Sequence, residues 1–163
     1  MHPYPVSFGK GEGSRRYADS GKSDKAMKCR DQLRQRGHLN VQRDVSTSGN
    51  LLSLNGNRYL KGIGAHTNST IHYDLGGACS ALGATVGVDD EIPAGTGSAD
   101  FQVWADGRQI FGSGHMTGGS PPQPVNVDLT GVQDLALMVV DDGYAIGNSH
   151  ADWAGAFLRC STF

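Results

Sequence analysis

The chain has little cysteine, few aromatic side chains and no long apolar run, and each shortage removes a class of function. Cys29, Cys79 and Cys160 are its only cysteines, and no two stand at CxxC spacing. The ligand pair of a structural zinc site is therefore missing, and at least one thiol has no partner within the chain. No apolar stretch approaches the roughly 18 residues that cross a bilayer as a helix, so no membrane partner is expected. The opening segment also lacks the apolar stretch of a signal peptide, so this reading frame shows no export signal and leaves the compartment open. Tryptophan is scarce, with Trp104 and Trp153 the whole supply.

Charge is modest in total, at a formal net of −2, but unevenly placed. Residues 1–38 carry nine Lys/Arg against four Asp/Glu, whereas residues 39–163 carry five against twelve. An acidic body argues against a nucleic-acid-binding core, so no nucleic-acid partner is expected. The basic head is rich in Gly, Ser, Lys and Arg, and its scattered apolar residues cannot offset an ordering cost of ~1–2 kcal/mol per residue. It reads as a disordered extension in which no strand is legible, and residues 39–163 read as one domain.

What the body does have is glycine, 24 residues in the whole chain, set between short alternating segments. Leu51–Leu54 runs into Asn55-Gly56-Asn57 and out through Arg58–Leu60, a hairpin pattern. Ile71, Tyr73 and Leu75 share one face of a strand, as do Leu82, Ala84, Val86 and Val88 of the next. Ala99–Ala105 alternates into Asp106-Gly107, the strongest hairpin signal in the chain, and returns through Gln109–Phe111. Val125–Leu129, Leu135–Val140 and Ala154–Arg159 complete eight or nine strands, and no stretch after residue 40 has a helical period. The fold class is all-β, an antiparallel β-sandwich of jelly-roll type.

Polar and aromatic groups cluster where these strands end. Gly62-Ile63-Gly64-Ala65-His66 precedes a strand, and His66 there could hydrogen-bond a sugar's hydroxyls or pin its own loop. Asp89, Asp90 and Glu91 leave a buried strand together. In an extended chain Asp89 and Glu91 point one way and Asp90 the other, which suits either a ligand face or a solvated acidic turn. They make a poor hydrolytic pair, because no apolar pocket that would raise one pKa is legible, so no catalytic residue is assigned. His150-Ala151-Asp152-Trp153 opens the last strand, and Trp153 suits a sugar-stacking rim and a core position equally. Trp104 sits mid-strand and is set down as core. Asp141, Asp142 and Asn148 lie in an oxygen-rich loop with Tyr144, a second stacking candidate, but their side chains alone are too few for the six to eight oxygens calcium takes. Cys79 and Cys160 close a loop of about eighty residues if their strand ends lie side by side. Otherwise they are two buried thiols.

Taken together, Lys61–His66, Val86–Glu91, the Val103–Gly107 strand and hairpin, Val127–Val132 and His150–Trp153 resemble the NPCBM family, also called carbohydrate-binding module family 51. The resemblance covers roughly residues 39–160. It implies a sandwich related to discoidin-like sugar binders, recognition of galactose-containing glycans, a structural calcium, and fusion to or association with a secreted glycoside hydrolase. On that basis the carbohydrate-binding residues are His66, Asp89, Glu91, Tyr144, His150, Asp152 and Trp153, and the calcium ligands are Asp141, Asp142 and Asn148. Thr67 and Ser149 depart from the family's usual residues. The alternative is a structural or protein-interaction sandwich that has lost its sugar site.

Overall fold

The computed structural model describes residues 2–5, 41–141 and 149–161. Among them the chain forms twelve strands: β1 His2–Pro5, β2 Gln42–Arg43, β3 Leu52–Leu54, β4 Asn57–Tyr59, β5 Gly62–His66 and β6 Ser69–Asp74. The rest are β7 Cys79–Val88, β8 Ala99–Ala105, β9 Arg108–Met116, β10 Gln123–Asp128, β11 Asp134–Val140 and β12 His150–Cys160. One sheet runs β10-β7-β12-β5-β2, with β1 added beside β12, a second runs β6-β11-β8-β9, and β3 and β4 form a two-stranded sheet of their own. All pairings are antiparallel.

The alternating segments explain the two layers. On β8, Ala99, Phe101, Val103 and Ala105 are buried, while on β11 Leu135, Leu137 and Val139 face the same interior. They meet Leu82, Val86 and Val88 of β7 and Ile63 and Ala65 of β5 from the opposite sheet. At the β8–β9 connection Asp106 and Gly107 have φ of 48° and 78°, the positive values that a two-residue turn of this hand requires. Asn55 and Gly56 do the same between β3 and β4, at 48° and 83°.

Four expectations need correction. Gly62–His66 is itself a strand rather than the lead-in to one, and the last strand begins at His150 rather than Ala154. Within residues 1–38 a strand does exist: His2–Pro5 pairs with Phe157–Cys160. Its prolines lack amide donors, which argues against a strand in sequence but is tolerated on an edge. Residues 6–40, Cys29 among them, lie outside the described residues. Trp104 is half-buried on the outward face of β8, not in the core. Its indole N–H donates to Gln102 Oε1 at 2.9 Å, and Gln102 in turn donates to Asp100.

Cys79 and Cys160 end opposite each other on β7 and β12 and are joined by a disulfide, with Cα atoms 3.8 Å apart. The bridge fastens the start of one central strand to the end of the other.

Candidate carbohydrate site

Strand register gathers the polar groups. On β12 alternation sends Ala151 and Trp153 into the sandwich and leaves His150 and Asp152 on the outer face. His150 is opposite His66 across β5, and Asp152 is opposite Gly64 there and Gly87 on β7. Asp89, two residues beyond Gly87, comes onto the same outer face, its amide donating to the His150 carbonyl. His66, Asp89, His150 and Asp152 therefore lie together at one end of one sheet, and the chain after Asp89 brings Glu91 beside them.

The two glycines decide what covers this face. A side chain at Gly64 would place its Cβ 2.4 Å from the Val45 carbonyl oxygen and 2.7 Å from Ser46 Cα, and one at Gly87 would meet the Leu54 side chain. Segment 44–54 thus lies down on the sheet because two strand positions carry no side chain. Leu52 and Leu54 are fully buried beneath it, and so is Asp152.

Glu91 is the junction between this cover and the strands. Its Oε1 accepts hydrogen bonds from Ser46 Oγ at 2.8 Å and from Asn50 Nδ2, and its Oε2 lies 2.8 Å from His150 Nδ1. Partial burial pushes the Glu91 pKa up. Hydrogen bonds from Asn50, His150, Ser46 and Ser48 more than reverse that, and the carboxylate is held below its ordinary value. His66 stands edge-on to His150, ring centroids 4.9 Å apart. Burial and the neighbouring His150 push the His66 pKa down, against a hydrogen bond from its ring to the Ser149 backbone. At neutral pH His66 is an uncharged ring with both donor and acceptor chemistry.

Asp90 and Asp89 are spoken for. Asp90 points to the β3–β4 hairpin, taking Ser53 Oγ at 2.6 Å and the amides of Asn55 and Gly56 at 2.7 and 2.8 Å. Asp89 is fully buried and accepts the amides of Glu91 at 2.9 Å and Ser53 at 3.1 Å. The chain turns after Asp89, with the Ile92 amide on its carbonyl, so Asp89 and Glu91 do not share the one direction that an extended strand implies.

Three sequence-assigned ligand contacts are thus corrected. Trp153 is fully buried, its ring edge-to-face with Phe101 at 5.3 Å between centroids, and offers no face to a sugar. Asp89 and Asp152 have no exposed surface with which to touch one. His66, Glu91 and His150 remain at the surface of the rim, joined by exposed Asn50, which no sequence pattern had singled out. Tyr144, Asp142 and Asn148 lie outside the described residues. Asp141 is exposed, its amide 3.4 Å from Asn68 Oδ1, and among the described residues no three His, Cys, Asp or Glu side chains are grouped to hold a metal.

This architecture and these motifs match a known family. Residues 23–159 fit the family model described as NPCBM/NEW2 domain. The chain belongs to the NPCBM family. The match begins before the boundary at residue 39 that the resemblance had suggested. Among solved structures, the CBM51 module of Clostridium perfringens GH95 in complex with methyl-galactose is 36 % identical, with a TM-score of 0.68 over 75 % of this chain and 89 % of that one. The CBM51-2 module of Clostridium perfringens ZmpB, solved in complex with GlcNAc, is 29 % identical at a TM-score of 0.68, covering 76 % of this chain and 28 % of that one. A Renibacterium salmoninarum protein named as a candidate endo-alpha-N-acetylgalactosaminidase is 41 % identical over 110 residues, 68 % of this chain and 7 % of that protein. Alpha-1,3-galactosidase B of Akkermansia muciniphila is 31 % identical over 130 residues, 72 % of this NPCBM chain and 15 % of that protein. The chain therefore spans a small part of the curated enzymes it matches.

Proposed function

We propose that this NPCBM domain is a non-catalytic module that binds a galactose-type glycan at the rim formed by His66, Glu91, His150 and Asn50. The observation that carries this reading is the Glu91–His150–His66 row, partly exposed and braced from below. The likeness to a module solved with methyl-galactose supports the choice of sugar. Neutral imidazole and carboxylate edges match hydroxyls that both donate and accept. With Trp153 in the core, Tyr144 is the remaining sequence candidate for stacking on the apolar face of the sugar. A shallow site of this kind leaves most of the sugar wet, so affinity for one monosaccharide is weak and gains come from multivalency. We further propose that the module acts as the accessory part of a glycoside hydrolase, as the much longer relatives suggest.

Calcium enters this reading through the family alone. Of the three residues assigned to it only Asp141 is described, and it is a single exposed carboxylate, so no part of the binding account runs through a metal. A glycan array probed with the multimerised domain tests the proposal. Enrichment on terminal galactose structures, lost with His66→Ala, is the expected pattern. Silence on all galactosides favours the sandwich that has lost its site.

A further inference from the structure

Directly beneath the rim lies a pair of acids that the glycan reading does not use. Asp89 and Asp152 project from neighbouring strands onto the same covered face, and both are fully buried. Asp89 satisfies its two oxygens with the amides of Glu91 and Ser53. Neither oxygen of Asp152 receives a hydrogen bond among the described residues. The Ser53 amide passes near Asp152, but its 3.1 Å bond is to Asp89.

Among the described residues the surroundings supply no counter-charge. Arg43 and Lys61 pair with Asp44, at the outer end of the covering segment. On β12, His150 pairs with Glu91, and on β5 the His66 ring meets His150 and Ser149. From the loop after β7, Glu91 adds a further negative charge, while Asp90 is turned to the hairpin. Two ionised carboxylates in contact here would repel at low dielectric, with no described cation beside them to balance the charge.

We propose that Asp89 and Asp152 share one proton, carried by Asp152 and donated to an ionised Asp89, and that this acid–carboxylate bond latches segment 44–54 and Glu91 to the sheet. The amide bonds assign the roles: the partner with two N–H donors is the anion, and the partner with none is the acid. Burial, the contact with Asp89 and the charges of Asp89 and Glu91 together push the Asp152 pKa up to about 10. Loss of the proton sets both carboxylates against each other and frees the two amides that Asp89 holds, one on β3 and one on the rim.

The sign of the pH effect follows. Between the ordinary Asp value of 3.8 and about 10, the folded state holds one proton more than the unfolded chain, so stability falls as pH rises across that window. The measurement is urea denaturation of metal-free protein between about pH 7.5 and 9.5, above the ordinary histidine range. Wild type is expected to weaken with the slope of one proton. Asp152→Asn, whose amide group can donate to Asp89, is expected to remove that slope. Infrared spectra at neutral pH should show a protonated-carboxyl band in wild type that is missing from the variant. Should the variant not fold, the wild-type slope and band decide. A flat wild-type profile without the band overturns the proposal. So does calcium that raises the wild-type melting temperature at neutral pH but not that of Asp152→Asn, because a cation then does the neutralising. None of these readouts involves sugar, so the latch and the glycan reading fail independently.

Discussion

At the scale of single residues, the decisive property is which way each side chain faces, and β12 sets it. Trp153 fills the interior against Phe101, so Trp153→Ala should cost ~3–5 kcal/mol of stability, read from the denaturation midpoint, whatever it does to binding. Survival of a fully stable fold would return the indole to the rim. Glu91 has the opposite pH behaviour to Asp152. Its folded pKa is lowered, so its contribution is complete above the ordinary value of 4.5 and is lost as pH falls through the folded value. Glu91→Gln should therefore flatten the acid limb of the stability curve, and an unchanged acid limb would show that the hydrogen bonds to Ser46, Asn50 and His150 hold no net energy. His66, Glu91 and His150 were legible because each lies at one end of an apolar strand segment. The burial of Asp89, Asp152 and Trp153 was not, since alternation assigns faces only once the strand's first residue is known, and the sequence pattern bounds the last strand at Ala154.

At the scale of elements, glycines and the disulfide place the cover and the central strands. Most strands were readable from their period-2 pattern, above all β6, β8 and β11, where one face is buried without interruption. The segments that escaped were those whose pattern is broken: β1 by prolines, and β5 by glycines that serve the overlying loop rather than the strand. Gly64→Ala tests that role. Its Cβ would meet backbone at 2.4 Å, an atom that cannot swing away, so segment 44–50 must lift and withdraw Ser46 and Asn50 from Glu91. We expect weaker glycan binding with faster amide exchange confined to that segment. Normal exchange there would mean the loop is held by something else. Reducing the Cys79–Cys160 bridge releases a loop with a sequence separation of 81 residues, and should lower stability by ~4 kcal/mol on the chain-entropy model. An unchanged urea midpoint in reductant would contradict it.

At the scale of the whole molecule, two sheets pack face to face and the His66–Glu91–His150 cluster lies at one end of the larger. The family and the sandwich were accessible from the motifs and their order along the chain. The latch under the rim was not, because contact between Asp89 and Asp152 depends on strand register rather than on spacing in sequence. The central claim is that the His66–Glu91–His150 rim binds a galactoside. The most direct measurement is titration of isotopically labelled protein with methyl-galactoside, following backbone and imidazole resonances. The account predicts weak, saturable shifts centred on residues 50, 66, 91 and 150, abolished by His66→Ala in a protein whose stability changes by only about 0.5–1.5 kcal/mol. Saturable shifts centred elsewhere, or binding that survives in folded His66→Ala, would contradict it.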